Sequence, residues 1–104
     1  MTTTYDLTKP TQPTIIKDPD ATLDYSQDWS AWLTDVGGDT ITDHEILFGD
    51  DSTCTLVQSS VLDGVVTAFI SGGTLNTKEQ VTYRITTAAG RIDDRSIWLN
   101  IKQR

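Results

Sequence analysis

Cysteine and basic residues are scarce in this 104-residue sequence, and each scarcity excludes a class of protein. The single cysteine, Cys54, rules out an internal disulfide and a cysteine-rich metal site. Only 8 lysine and arginine residues stand against 15 aspartate and glutamate residues, which gives a net charge of −7. Because nucleic acids and anionic membranes are bound through basic side chains, we expect neither as a partner.

Long apolar segments are also missing. No run approaches the roughly 18 consecutive apolar residues of a membrane-spanning helix, and the first residues lack the basic and apolar regions of a secretory signal. The length suits one compact domain with a modest core. We therefore expect a small, acidic, soluble domain that needs no cofactor.

All three prolines fall within residues 1–20, beside a run of threonines. Proline lacks a backbone donor and favours extended conformations in the residue before it. We predict an extended N-terminal arm over residues 1–20 and a single domain over residues 21–104. The arm is either disordered in isolation or held on a neighbouring subunit through Ile15 and Ile16.

From residue 21 onward, apolar residues recur every second position, which is typical of strands. The alternation is cleanest in Val81-Thr82-Tyr83-Arg84-Ile85 and in Ile97-Trp98-Leu99-Asn100-Ile101. Further strand candidates are residues 22–29, 40–48, 53–59 and 65–70. The pattern predicts a sheet with one face on a core and the other in water.

Turn signals separate these segments. Asp63-Gly64 is typical of a two-residue hairpin turn, and Gly90 suits the left-handed position of the last hairpin. Only Asp28–Leu33 has helical spacing, enough for a single turn. Six or seven short strands without a helical crossover predict an all-β fold, an antiparallel two-layer immunoglobulin-like β-sandwich with an extended N-terminal arm.

Residues with catalytic chemistry are few and isolated. His44 is the sole histidine and has no motif that pairs it with a nucleophile. Cys54 has no basic neighbour in the sequence to lower its pKa, so we interpret it as a buried structural thiol. Acidic clusters such as Asp18-Pro19-Asp20 do not match a calcium loop and read as turn aspartates, with a structural cation as the alternative.

Two features point to protein contacts. Trp98 lies on the outward phase of the last strand, where it either packs within the molecule or anchors an interface. The run Arg91, Asp93, Asp94 and Arg95 alternates charge at the base of the last hairpin, where it either fixes the strand register or orients a partner. We take these residues, with Ile15 and Ile16, as candidate interface residues, and we assign no catalytic or metal-binding residue.

Two blocks of the sequence resemble small virion proteins of tailed phages known as fiber-tail adaptors. They are Lys17-Asp18-Pro19-Asp20-Ala21-Thr22-Leu23-Asp24-Tyr25 continuing to Asp28-Trp29-Ser30-Ala31-Trp32-Leu33, and Ile70-Ser71-Gly72-Gly73-Thr74 with Val81–Arg91 and Asp93–Ser96. The resemblance spans roughly residues 17–102 and is weakest over Asp43–Leu62. It implies a non-enzymatic β-sandwich subunit present in several copies around a symmetric tail or neck.

We therefore expect a virion structural protein that joins tail, baseplate or neck components to a fibre, with virion proteins and copies of itself as partners. A capsid decoration or head-fibre protein is one alternative. A host-surface module that binds glycan or calcium is another, and an enzyme is the least favoured.

Overall fold

The computed structural model describes residues 14–103, which form seven strands and one short helix. In chain order these elements are β1 (Thr14–Lys17), β2 (Leu23–Asp28), α1 (Ser30–Asp35), β3 (Ile41–Phe48), β4 (Cys54–Leu62), β5 (Val65–Gly72), β6 (Lys78–Thr87) and β7 (Ile92–Ile101). The predicted all-β class is confirmed, and so is the single helical turn near Trp29.

The strands form two sheets, as the two-layer prediction requires. One has the order β1-β7-β6-β3 and the other the order β2-β5-β4. Every pairing is antiparallel except that of β1 with β7, which is parallel. The prediction of purely antiparallel pairing is wrong at this one edge. Strand β1, which lies within the predicted arm, joins the sheet beside β7 and runs in the same direction.

The core lies between the sheets and follows the period of two. Val81, Tyr83 and Ile85 of β6 are buried, as are Ile97, Leu99 and Ile101 of β7. From the other sheet, β5 contributes Val66, Ala68 and Ile70, while its alternate residues are half-buried. Trp29 is fully buried beside them, which confirms its predicted place in the core.

Two predicted turns have the expected backbone. Asp63 and Gly64 have φ values of 51° and 82°, as a primed hairpin turn requires, and Gly90 has a φ of 90°. Both turns lie at the end of the sandwich that carries α1, here called the helix end. The links 49–53 and 73–77 lie at the opposite end, here called the Glu79 end.

The predicted arm is described only from Thr14 onward, since residues 1–13 lie outside the described residues. Its described part includes β1, whose residues Thr14 and Lys17 lie opposite Trp98 and Ile101 of β7. Strand β1 is thus an edge strand of the four-stranded sheet. The predicted boundary at residue 20 stays a prediction.

Candidate interaction surfaces

Strand alternation divides the candidate interface residues between the two faces of the four-stranded sheet. Ile15 pairs with Leu99 on the core side, whereas Ile16 pairs with Asn100 on the solvent side. On β7, the core-side phase that contains Ile97 also contains Asp93 and Arg95. Three of the predicted residues share the outer face: Ile16, Asp94 and Trp98.

This outer face is polar around its tryptophan, and we call it the Trp98 face. Thr82 and Ser96, opposite each other on β6 and β7, share a hydrogen bond of 2.8 Å between their hydroxyls. Gln80 lies opposite Trp98 on β6. Trp98 is thus a half-buried aromatic side chain on a largely polar sheet face.

Trp98 itself is held from two sides. Its strand neighbours are Thr14 of β1 and Gln80 of β6, and the Lys78 ammonium lies 5.8 Å from the centroid of its ring. The ring borders a hollow of about 360 Å³ whose other walls include Asp50 and Asp51. Trp98 is therefore half-covered by its own chain and still forms part of an open surface.

Asp94 is held on the same face by its cross-strand partner, Arg84. The guanidinium donates two hydrogen bonds to the carboxylate, with lengths of 2.8 and 2.9 Å. Both side chains are about two-fifths exposed. Because both ions are solvated, an exposed pair of this kind contributes little to stability.

Asp93 and Arg95 point inward and enclose Trp29. Asp93 Oδ2 accepts a hydrogen bond of 2.8 Å from Trp29 Nε1, and the Arg95 guanidinium lies 5.0 Å from the centroid of the indole ring. Arg95 Nη1 also donates to the carbonyl of Asp28. Their side chains are only 14% and 16% exposed, so both residues have a structural role in this fold.

Three candidates remain, Arg91, Ile15 and Ile16, and they also have contacts within the molecule. Arg91 Nη1 lies 2.8 Å from Asp39 Oδ2, an ion pair that ties the β6–β7 turn to the segment before β3. Ile15 packs against the core, whereas Ile16 is 47% exposed. The adjacent isoleucines therefore do not form a single anchor.

A buried carboxylate at the Glu79 end was missed by the sequence analysis. Glu79 is 7% exposed and accepts hydrogen bonds from the hydroxyls of Ser52, Thr53 and Thr77 and from the backbone amides of Thr53 and Thr74. Burial raises the pKa of Glu79, but these hydrogen bonds outweigh it and hold the pKa at about 2. The alternation of β6 could have predicted its burial, since Glu79 lies on the same side of the strand as Val81 and Tyr83.

A buried lysine was missed as well. Lys17 is 0% exposed, and its ammonium donates to the carbonyls of Asp18, Ala21 and Gly72 at 2.6–2.9 Å. These bonds join the β1–β2 link to the end of β5. Its burial follows from strand alternation, since Lys17 lies two residues after Ile15 and therefore on the same, core-facing side of β1.

The surroundings of His44 and Cys54, the two residues considered for catalysis, do not activate either side chain. His44 Nε2 lies 3.0 Å from Ser59 Oγ, a contact that joins the edges of the two sheets. Cys54 is buried, as predicted, and burial together with nearby Glu79 raises the pKa of its thiol to about 11. The thiol is therefore protonated at neutral pH and is a poor nucleophile.

Neither a metal centre nor a membrane span is visible in the described part of the chain. Within residues 14–103, no three histidine, cysteine, aspartate or glutamate side chains are grouped to hold a metal ion. No helix in that range is long and apolar enough to cross a membrane.

These features define a small β-sandwich whose buried polar groups support the fold and whose outer sheet face carries Trp98 and the Arg84–Asp94 ion pair. The family model described as podophage GP4 fiber-tail adaptor protein gp77 matches residues 17–100, and the chain belongs to this family. It is therefore a structural component of a phage virion, as the resemblance implied. A comparison with curated proteins finds no match.

Proposed function

We propose that this chain is a non-enzymatic adaptor that joins a tail, baseplate or neck component to a fibre, and that the Trp98 face is one of its two binding surfaces. The observation that carries the proposal is the outward position of Trp98 on the sheet face that also carries the Arg84–Asp94 pair, with the Thr82–Ser96 pair between them. A buried aromatic contact supplies binding energy, and fixed charges at its edge select the partner and its orientation.

The absence of catalysis is supported by the chemistry of the side chains. Nucleophilic catalysis needs a deprotonated or activated group beside a base, whereas burial keeps the Cys54 thiol protonated. Glu79 is saturated with hydrogen bonds inside the fold. Within residues 14–103, the His44 ring has a hydrogen-bond contact with Ser59 and no third group that would orient it as a catalytic base.

We also infer that the sandwich is immunoglobulin-like. If the strands are lettered A to G in chain order, the sheets become A-G-F-C and B-E-D. The constant-type immunoglobulin domain places C, F and G in one sheet and B, E and D in the other. The two arrangements differ only in strand A. It belongs to the sheet of B, E and D in the constant-type domain, whereas here it pairs in parallel with strand G.

The contact set that we propose follows the alternation of the strands. Ile16, Asp94 and Trp98 touch the partner directly, and Arg91 lies at the exposed turn of the same hairpin. Ile15, Asp93 and Arg95 hold β1 and β7 in place from the core side. The net charge of −7 supports protein partners, including copies of this chain, rather than nucleic acid or an anionic membrane.

The test compares two tryptophan variants in the phage that encodes the chain. Trp98→Ala removes the proposed anchor, while Trp32→Ala removes another half-buried tryptophan, at the helix end. We expect both purified variants to keep the β-rich circular dichroism spectrum. Particles with Trp98→Ala should contain at least tenfold fewer fibres, measured by quantitative mass spectrometry, whereas particles with Trp32→Ala should keep them.

Normal fibre content in the Trp98→Ala particles would contradict the assignment of this face. An equal loss in both folded variants would contradict it too, because the effect would not be specific to Trp98.

A further inference from the structure

A groove of about 500 Å³ opens at the helix end of the sandwich, bordered by α1, the start of β3 and the β4–β5 turn, and we call it the helix-end groove. Its apolar lining consists of Leu33, Ile41, Val61 and Leu62. Val61 is 38% exposed and Leu62 is 73% exposed. Because contact between water and apolar surface is unfavourable, a ligand that covered these side chains would gain binding energy from their burial.

The walls of the helix-end groove are fixed by backbone hydrogen bonds. The carbonyl of Leu33 accepts bonds of 2.9 and 3.0 Å from the amides of Gly38 and Asp39. The amide of Trp29 donates to the carbonyl of Gly64 at 2.8 Å. These contacts hold α1 against both the segment before β3 and the β4–β5 turn. The groove is therefore already formed in the free chain, so binding loses little free energy to the ordering of loops.

The charge around the helix-end groove is negative. Asp39 and Asp63 line it, whereas no lysine or arginine of the described chain does. Asp39 is paired with Arg91. Asp63 and the exposed Asp35, at the end of α1, have no ion pair within residues 14–103. Two carboxylates therefore remain without a counter-charge near an apolar hollow, which favours a cationic neighbour.

We propose that the helix-end groove binds a segment of a second virion protein in which a large apolar residue lies next to a lysine or an arginine. The apolar side chain enters between Leu33, Ile41 and Leu62, and the basic group lies against Asp63. The proposal rests on the proposed function, because an adaptor needs a second binding surface besides the Trp98 face. A second copy of this chain suits the groove less well, since its net charge of −7 adds like charge.

The helix-end groove and Trp98 lie at opposite ends of the sandwich. On β6, Gln80 lies opposite Trp98 of β7, and Thr87 lies opposite Ile41 of β3. These two positions of β6 are seven residues apart, which is about 24 Å along the strand. Two protein segments can therefore bind at the same time, one at each end, as an adaptor requires.

The chemistry of the occupant is tested with two capped peptides, acetyl-Gly-Arg-Phe-Lys-Gly-amide and acetyl-Gly-Glu-Phe-Glu-Gly-amide, in NMR titrations of the isotope-labelled chain. Leu62→Ser removes an apolar wall, and Leu75→Ser makes the same change at an exposed leucine of the Glu79 end. Asp63→Asn removes the charge and keeps the turn, because asparagine tolerates the positive φ of 51° at this position. Its control is Asp50→Asn, at an exposed turn of the Glu79 end.

We expect the basic peptide to shift the amide signals of the residues that line the groove, and to bind about tenfold more tightly than the acidic peptide at low salt. Leu62→Ser should weaken its binding about tenfold, since an apolar contact is lost. Asp63→Asn should weaken it about threefold and reduce its dependence on salt. Leu75→Ser and Asp50→Asn should bind it as wild type does. Circular dichroism confirms that each variant is folded.

A second measurement is made on phage particles that carry Leu62→Ser or Trp98→Ala. Because the two surfaces hold different partners, we expect one variant to lose the fibre alone and the other to lose both the fibre and this chain. Quantitative mass spectrometry measures both proteins. Particles with Leu75→Ser should retain both.

Equal binding of the two peptides, shifts outside the groove, or unchanged binding by Leu62→Ser would overturn the proposal. So would groove shifts that grow with protein concentration in the absence of peptide, which would identify a second copy as the occupant. Nuclear Overhauser effects between residues 1–13 and Leu62 would identify the chain's own N-terminal segment instead, and would overturn it too.

In the particles, normal contents for Leu62→Ser, or the same losses for Leu62→Ser and Trp98→Ala, would also contradict the proposal. Each of these results leaves the adaptor function standing, because that function is tested separately by the fibre content of Trp98→Ala particles.

Discussion

The indole nitrogen of Trp29 donates a hydrogen bond of 2.8 Å to Asp93 Oδ2. This bond joins the residue before α1 to the start of β7, 64 positions later in the chain, and it satisfies the one polar atom of a side chain that is otherwise fully buried. Asp93 and its neighbour Asp94 therefore have opposite roles, one inside the fold and one on its surface.

The first prediction compares these two aspartates. Asp93→Ala leaves the Trp29 N–H without its acceptor, and a buried unsatisfied donor costs about 1–3 kcal/mol. Asp94→Ala removes an ion pair whose two side chains are both about two-fifths exposed, so we expect a clearly smaller loss. The free energy of unfolding in urea measures both changes. Equal losses would show that the Trp29 contact does not stabilise the fold.

The second prediction concerns the buried ammonium of Lys17. Lys17→Met keeps the length of the side chain but leaves three carbonyl groups without their donor, so we expect a loss of about 3 kcal/mol or more. Lys102→Met makes the same change at an exposed position and should alter the free energy of unfolding by about 0.5 kcal/mol or less. Comparable stability of the two variants would contradict the role given to Lys17.

Strand alternation was readable from the sequence, and it accounts for most of the fold. The buried residues of β6 and β7, the Asp63-Gly64 turn and the short helix near Trp29 were all predicted from local pattern. The parallel pairing of β1 was not, because register between distant strands depends on contacts that a local pattern does not contain.

The candidate surface was predicted only in part, for a related reason. Adjacent residues such as Asp93 and Asp94 were grouped by their charge, although a strand turns them to opposite faces. Glu79 and Lys17 were missed because charged residues are rarely buried, and the groups that satisfy them come from segments far apart in the sequence.

The third prediction compares two glycines with positive φ. Gly90→Ala places a Cβ in open space, so its cost is the left-handed backbone alone, about 1–2 kcal/mol. At Gly64 a Cβ would also lie 3.1 Å from Leu33 Cδ1 and 3.2 Å from Ser30 Cα, which adds about 1–3 kcal/mol of overpacking. Gly64→Ala should therefore have a lower melting temperature than Gly90→Ala. A lower melting temperature for Gly90→Ala would contradict the packing of α1 against the Asp63-Gly64 turn.

The last prediction concerns the pH dependence that Glu79 gives to stability. The pKa of Glu79 is about 2 in the folded chain, below its ordinary value of 4.5. A lowered pKa stabilises the fold fully above pH 4.5, and that stabilisation is lost as the pH falls toward 2. At about 1.4 kcal/mol for each pH unit, the carboxylate contributes about 3 kcal/mol at neutral pH.

Glu79→Gln removes this titration. Relative to wild type, the variant should lose about 3 kcal/mol at pH 7 and progressively less as the pH is lowered to 2.5. Below pH 4.5 the unfolded wild-type chain takes up a proton at Glu79 that the folded chain does not, so the stability of the wild type falls toward that of the variant. Glu45→Gln, on the exposed middle of β3, is the matched control and should follow wild type throughout. Urea unfolding at several pH values measures the difference. A deficit in Glu79→Gln that stays constant across this range would mean that the side chain holds the Glu79 end by its shape and not by its charge.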